Sequence, residues 1–142
     1  MKEVQWNDSM SVGIELIDKQ HKMLIQHLNN LIKSLEPSQG LTEVANTLSF
    51  LIDYTHFHFS EEEKHMAANK YPELEQHKMK HDGFKTTLSN LEEEFKEDGA
   101  THVLAKAVNT LLVNWLIKHI CRVDVEFGVF LKNNGIALPD EG

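Results

Sequence analysis

His58 and Glu62 stand four residues apart, and His77 and His81 repeat that spacing. On an α-helix, residues at i and i+4 share a face one turn above the other, so each pair can chelate one site. His119 and Asp124, five apart, extend the set, as does His21, which lies among apolar residues rather than on a charged face. Five imidazoles and two carboxylates are too many donors for one ion. They suit a pair of transition-metal ions, with carboxylates bridging and imidazoles terminal. Singly, each piece has a plainer reading: a lone histidine on an apolar face is usually a hydrogen-bonded core residue, and an i,i+4 His/Glu pair a weak surface contact. Those readings would have to hold independently at four places in the chain, whereas one metal centre accounts for all of them.

Four helices must bring these places together. Only three prolines and seven glycines occur in 142 residues, and most fall where they would punctuate helices. After an irregular arm through Gly13, apolar residues recur at helical spacing from Ile17 to Leu35, and Pro37 ends the first helix. Gly40 opens the second, with Thr42 as its expected N-cap, and it runs toward Asn69. Pro72 suits the first turn of a third helix, which Asp98-Gly99 closes. A fourth starts near Thr101 and runs through His119. A further helical stretch reaches Leu131 before Asn133-Asn134-Gly135. The expected architecture is all-α: an up-down-up-down four-helix bundle with an irregular N-terminal arm and a short C-terminal helical extension, residues 1–142 forming a single domain. In a regular helix, five residues place His119 and Asp124 about 140° apart around the axis. A π-type turn aligns i with i+5, so a distorted helix is expected between them.

Composition narrows the classes of function. Hydrophobic residues make up 41% and charged residues 25%, which is globular rather than disordered. Asp and Glu total 22 against 14 Lys and Arg, a formal charge of −8, which argues against nucleic acid and anionic membrane surfaces as partners. The most apolar stretch, Leu111 to Ile117, contains Asn114 and stops at Lys118, too short to span a bilayer. The N-terminal residues lack an apolar signal core, and the lone Cys121 has no internal disulfide partner, so a cytoplasmic location is expected.

Several segments together resemble the bacterial hemerythrins: Trp6, Val12-Gly13-Ile14, Ile17-Asp18, Gln20-His21, the run from His58 to Glu63, His77 and His81, the run from Trp115 to Ile120, and Asp124. The likeness extends from Trp6 to about Leu131, with HFxxEE, HxxxH and HIxxxD in family order. The resemblance implies a non-haem di-iron centre that binds molecular oxygen reversibly and is not an enzyme's catalytic site. His77, His81 and His119 would hold one iron and His21 and His58 the other, with Glu62, Asp124 and a solvent-derived oxygen bridging. The two-histidine iron would then be one ligand short, leaving a position for oxygen. The family's oxygen pocket would map to Leu24, Phe59, Trp115, Leu116 and Ile120, residues that would also pack any bundle core. His65, one turn beyond Glu62, is an additional donor expected beside the centre or at the surface. His27, His56 and His102 fall off the ligand faces and are expected at the surface.

Other functions fit the same residues. A di-iron oxidase or peroxidase would use a similar bundle, although such sites are carboxylate-rich with Glu-x-x-His at i,i+3, and this one is histidine-rich. A nitric oxide or iron-handling stress protein would use the same ligands. A metal-free interaction module would bury five histidines without partners, at severe cost.

Overall fold

The computed structural model describes residues 3–35, 40–99 and 101–138. Within them, α1 (Glu15–Ser34), α2 (Leu41–Ala68) and α3 (Leu74–Asp98) are followed by a fourth rod made of α4 (His102–Ala107), a π-helical segment (Val108–Val113), α5 (Asn114–Lys118), a second π-helical segment (His119–Asp124) and α6 (Val125–Asn133). Each rod packs on the next, and α1 also meets the Val108–Val113 segment, closing the bundle. Connections this short force antiparallel neighbours. The expected C-terminal extension is α6, a direct continuation of the fourth rod. None of the described helices is long and apolar enough to cross a membrane.

The helix ends follow local chemistry, with two corrections to the expectations. Thr101 does cap α4, its side chain accepting from the Leu104 amide. At α2 the N-cap is Gly40, in extended conformation, and Thr42 already lies in the first turn. Pro72 precedes α3 rather than opening it. The reason is the way α2 stops: Lys70 takes a left-handed φ of 56°, and the amides of Lys70 and Tyr71 bond back to Ala67 and Met66 at 3.2 and 2.9 Å. This Schellman-type end carries the reversal to Tyr71, and Pro72 falls in the turn that follows. Pro37 lies outside the described residues.

Among its described residues the N-terminal arm contains a single 3-10 turn, Asp8–Met10. Asp18, in the first turn of α1, fixes the arm by accepting from the Val12 amide at 2.8 Å and the Ser11 hydroxyl at 2.5 Å. Across from it, a Cβ on Gly128 would meet the Val12 carbonyl oxygen at 2.4 Å, so only glycine lets the arm lie this close to α6.

Two apolar clusters fill the bundle. One gathers Leu24, Leu28, Leu31, Leu51, Phe59, Phe84, Leu88 and Leu116, and the other Ile17, Met66, Tyr71, Phe127 and Leu131. On all four rods the chain passes from one cluster to the other through a short polar stretch. Those stretches hold the histidines and carboxylates singled out above.

Candidate metal centre

Every rod contributes to one buried polar layer. α1 supplies His21, α2 supplies His58 and Glu62, α3 supplies His77 and His81, and the π segment begins at His119 and ends at Asp124. All seven side chains are no more than 3% exposed. The expected distortion is present: the π turn brings His119 and Asp124 onto one side, with Nε2 2.8 Å from Oδ1.

The donor atoms fall into two groups. Glu62, His77, His81, His119 and Asp124 form one, and His21, His58, Glu62 and Asp124 the other, the atoms of each lying within 4.8 Å of one another. Both carboxylates belong to both groups and divide their oxygens between them. Glu62 Oε1 lies 2.7 Å from His77 Nε2 and 3.4 Å from His81 Nε2, while Oε2 lies 3.3 Å from His58 Nε2. Asp124 Oδ1 faces His77 and His119 at 2.9 and 2.8 Å, and Oδ2 faces His21 at 2.7 Å.

Of these contacts, His77 Nε2 to Glu62 Oε1 is aligned as a hydrogen bond, and most of the others are short without that alignment. His21 Nε2, His58 Nε2, Glu62 Oε2 and both Asp124 oxygens are buried with no hydrogen-bond partner. Several unsatisfied buried groups in one place would be costly if nothing else bound them. His81 Nε2 and His119 Nε2 point at each other across 3.1 Å, a clash of lone pairs unless a proton or a cation lies between. Two cis donors about 2.1 Å from a first-row metal ion sit about 3 Å apart, so the spacing is that of ligands around shared ions. The donor set fits a pair of metal ions.

The electrostatics agree. Burial would raise the Glu62 carboxyl, yet hydrogen bonds from His119, His58, His77 and His81 hold it well below the usual carboxylate range. Burial and the Glu62 charge would likewise raise Asp124, but His119 and His21 hold it below its usual range. Burial lowers His58. Against the same desolvation, Asp124 and Glu62 push His119 up to about 9 and also raise His77. Two buried carboxylates therefore stay ionised and demand positive charge, which protons on His77 and His119 supply in part when no metal does.

Two further residues hold the imidazoles in place. His58 Nδ1 lies 2.7 Å from Gln20 Oε1, and His81 Nδ1 2.7 Å from Glu63 Oε2, so each ring donates its outer N–H and presents Nε2 to the centre. Sequence reasoning assigned neither role. Glu63 adjoins Glu62, and that adjacency was the one available signal.

Of the residues expected to wall the centre, Phe59 stacks on His81 at 3.7 Å between centroids and Trp115 on His119 at 4.4 Å. Leu24 and Leu116 are buried in the same cluster as Phe59. The Ile120 side chain lies outside those described. His65 is buried away from both donor groups, its Nε2 3.9 Å from Glu61. His56 and His102 are exposed as expected. His27 is not: it is half-buried, packed against Tyr54 and Phe50, because its position on α1 faces the aromatic side of α2.

Comparison with known proteins gives the same picture. The family model for the hemerythrin HHE cation binding domain matches residues 12–128. The chain is 31% identical over 115 residues to a bacteriohemerythrin of Stenotrophomonas maltophilia, covering 81% of this chain and 72% of the relative. It is 30% identical over 128 residues to one from Clostridium acetobutylicum, covering 86% and 96%. A myohemerythrin of Theromyzon tessulatum is 30% identical over 123 residues, covering 87% and 89%. A solved wild-type hemerythrin superposes with a TM-score of 0.81 at 26% identity, covering 90% of this chain and 97% of that one.

Proposed function

The chain belongs to the hemerythrin family, and from that premise we propose that it binds molecular oxygen reversibly at a non-haem di-iron centre held by His21, His58, Glu62, His77, His81, His119 and Asp124. One observation carries this reading: two groups of buried donors share Glu62 and Asp124, with one oxygen of each carboxylate turned to each group. The family match over residues 12–128 supports reading residues 1–142 as one such domain.

Iron bound there supplies the redox chemistry and the coordination sites that dioxygen needs. The residues determine how that chemistry is confined. One group offers five protein donors and the other four, so the His21 and His58 side has more room for an outside ligand. Glu62 and Asp124 neutralise cationic charge at the bundle centre. Gln20 and Glu63 fix the rings of His58 and His81. Leu24, Phe59, Trp115 and Leu116 keep water and acidic groups away, which withholds the protons an oxidase would require. These features support a carrier rather than an enzyme.

Replacing Leu116 with Ala tests the role of the apolar wall. Iron content and helicity should be unchanged, while irreversible oxidation of the oxygen-exposed protein becomes severalfold faster. An unchanged oxidation rate would show that this wall does not control access, and peroxide release by the wild type on every exposure would favour an oxidase.

A further inference from the structure

On a chain of net charge −8, Lys80, Lys118 and Arg122 are exposed on one face and make no ion pair among the described residues. With Trp115, His119 and Val123 they line a surface depression of about 260 Å³. Its floor is a ring of the metal centre. His119 turns Nε2 inward to Asp124, and Trp115 lies nearly parallel to its outer side, 4.4 Å between centroids and 11° between planes. Trp115 is half-buried, so its indole joins the buried imidazole to the surface.

An oxygen carrier at a di-iron centre loses function when both irons become ferric, and recovers it only by reduction. The seven donors are at most 3% exposed, so a reductant cannot touch the irons and must deliver electrons through a ligand ring. We infer that the face formed by Lys80, Lys118, Arg122 and Trp115 is the docking surface for an acidic one-electron carrier protein, with Trp115 and His119 as the path inward; this rests on the di-iron reading above. Each encounter oxidises the donor by one electron and reduces one ferric ion to ferrous, so two encounters restore the pair, and no bond in the chain is made or broken.

The charge arrangement favours a protein over a small anion. The three cations are exposed rather than buried, line the same depression, and are presented by both α3 and the fourth rod. Unpaired exposed charges act mainly through long-range steering, raising the encounter rate with a partner of opposite sign. A half-buried aromatic group among such charges, as Trp115 is here, is a composition enriched at protein interfaces.

The probe is a purified acidic flavodoxin, reduced to its hydroquinone and mixed anaerobically with the iron-loaded, diferric protein at low and high salt. Wild type should show a bimolecular rate that falls steeply with salt. Lys118→Glu with Arg122→Glu should cut the low-salt rate about tenfold or more and flatten its salt dependence. The same charge change at the far end of the bundle, Lys96→Glu with Lys106→Glu, should change the rate less than about twofold. In a second measurement, oxidised flavodoxin added to metal-free, nitrogen-15-labelled protein should shift the Trp115 indole and the amides of Lys80, Lys118 and Arg122. Trp115→Leu should slow reduction by a larger factor than it weakens flavodoxin binding by the metal-free protein, because the indole lies on the path inward as well as in the face. Equal rates for the two double variants, or shifts reproduced by inorganic phosphate alone at the same concentration, would overturn the docking surface. Iron content is measured on each protein, so a chain that fails to hold two irons counts against the di-iron reading and not against docking.

Discussion

Glu62 and Asp124 differ from the five histidines in belonging to both donor groups. Truncating a histidine removes a donor from one group, whereas truncating a shared carboxylate weakens both and leaves cationic charge uncompensated in a buried layer. In metal analysis after iron loading, His58→Ala should retain roughly one iron per chain and Glu62→Ala clearly fewer. Equal iron content in the two variants would contradict the shared role of Glu62. A pH effect follows for the metal-free protein. His119, pushed up to about 9, and His77, also raised, contribute stability that is fully present below the ordinary histidine value of 6.5 and is lost as pH rises through the folded value. Glu62 and Asp124, held low, contribute stability that is present above the ordinary carboxylate range and is lost as pH falls through their depressed values. The metal-free protein should therefore resist urea less at pH 9 than at about pH 6.5, and metal loading should remove the difference because cations replace the protons. Equal midpoints at both pH values without metal would contradict this charge balance. The seven donor residues stood out in the sequence by type and position, as two pairs four apart, His119 and Asp124 five apart, and His21 among apolar residues, and the fold brings all seven into the two donor groups. Gln20 was not legible as the partner of His58, since it lies 38 residues away on another helix and only packing brings them together.

The segment His119–Asp124 shows spacing dictating secondary structure. Periodicity fixed the four helices, and the five-residue separation of two donors required a π turn, which is present. The other π segment, Val108–Val113, carried no such signal, because none of the expected donors falls within it. Helix ends were less legible. Thr42 has the right side chain for a cap, but the chain turns one residue after Gly40. Pro72 is compatible with a first helical turn, but the end of α2 reaches Tyr71 through Lys70, a left-handed residue that nothing in its side chain announces. The close approach of the arm to α6 was likewise invisible until packing set Gly128 against Val12. Gly128→Ala places a Cβ at 2.4 Å from the Val12 carbonyl oxygen, so the arm or the helix must move. Urea unfolding should show a loss of about 1–3 kcal/mol, the usual range for overpacking. Unchanged or increased stability would mean that the arm is not held against α6.

Across the whole molecule, the layer of imidazoles and carboxylates is carried between two apolar clusters that exclude water on both sides. Burying so many polar groups costs least when cations complete the layer, which couples metal content to stability. Composition supplied the acidic balance, but the grouping of three unpaired cations over His119 became visible only when α3 and the fourth rod came together. Reversible oxygen binding is tested most directly by loading the protein anaerobically with ferrous iron, titrating it with oxygen while recording the visible spectrum and dissolved oxygen, and then removing the oxygen. Uptake should stop at about one oxygen molecule per pair of irons, and the ferrous spectrum should return on deoxygenation through repeated cycles. Continued oxygen consumption with accumulating peroxide and no return of the ferrous spectrum would contradict the carrier function.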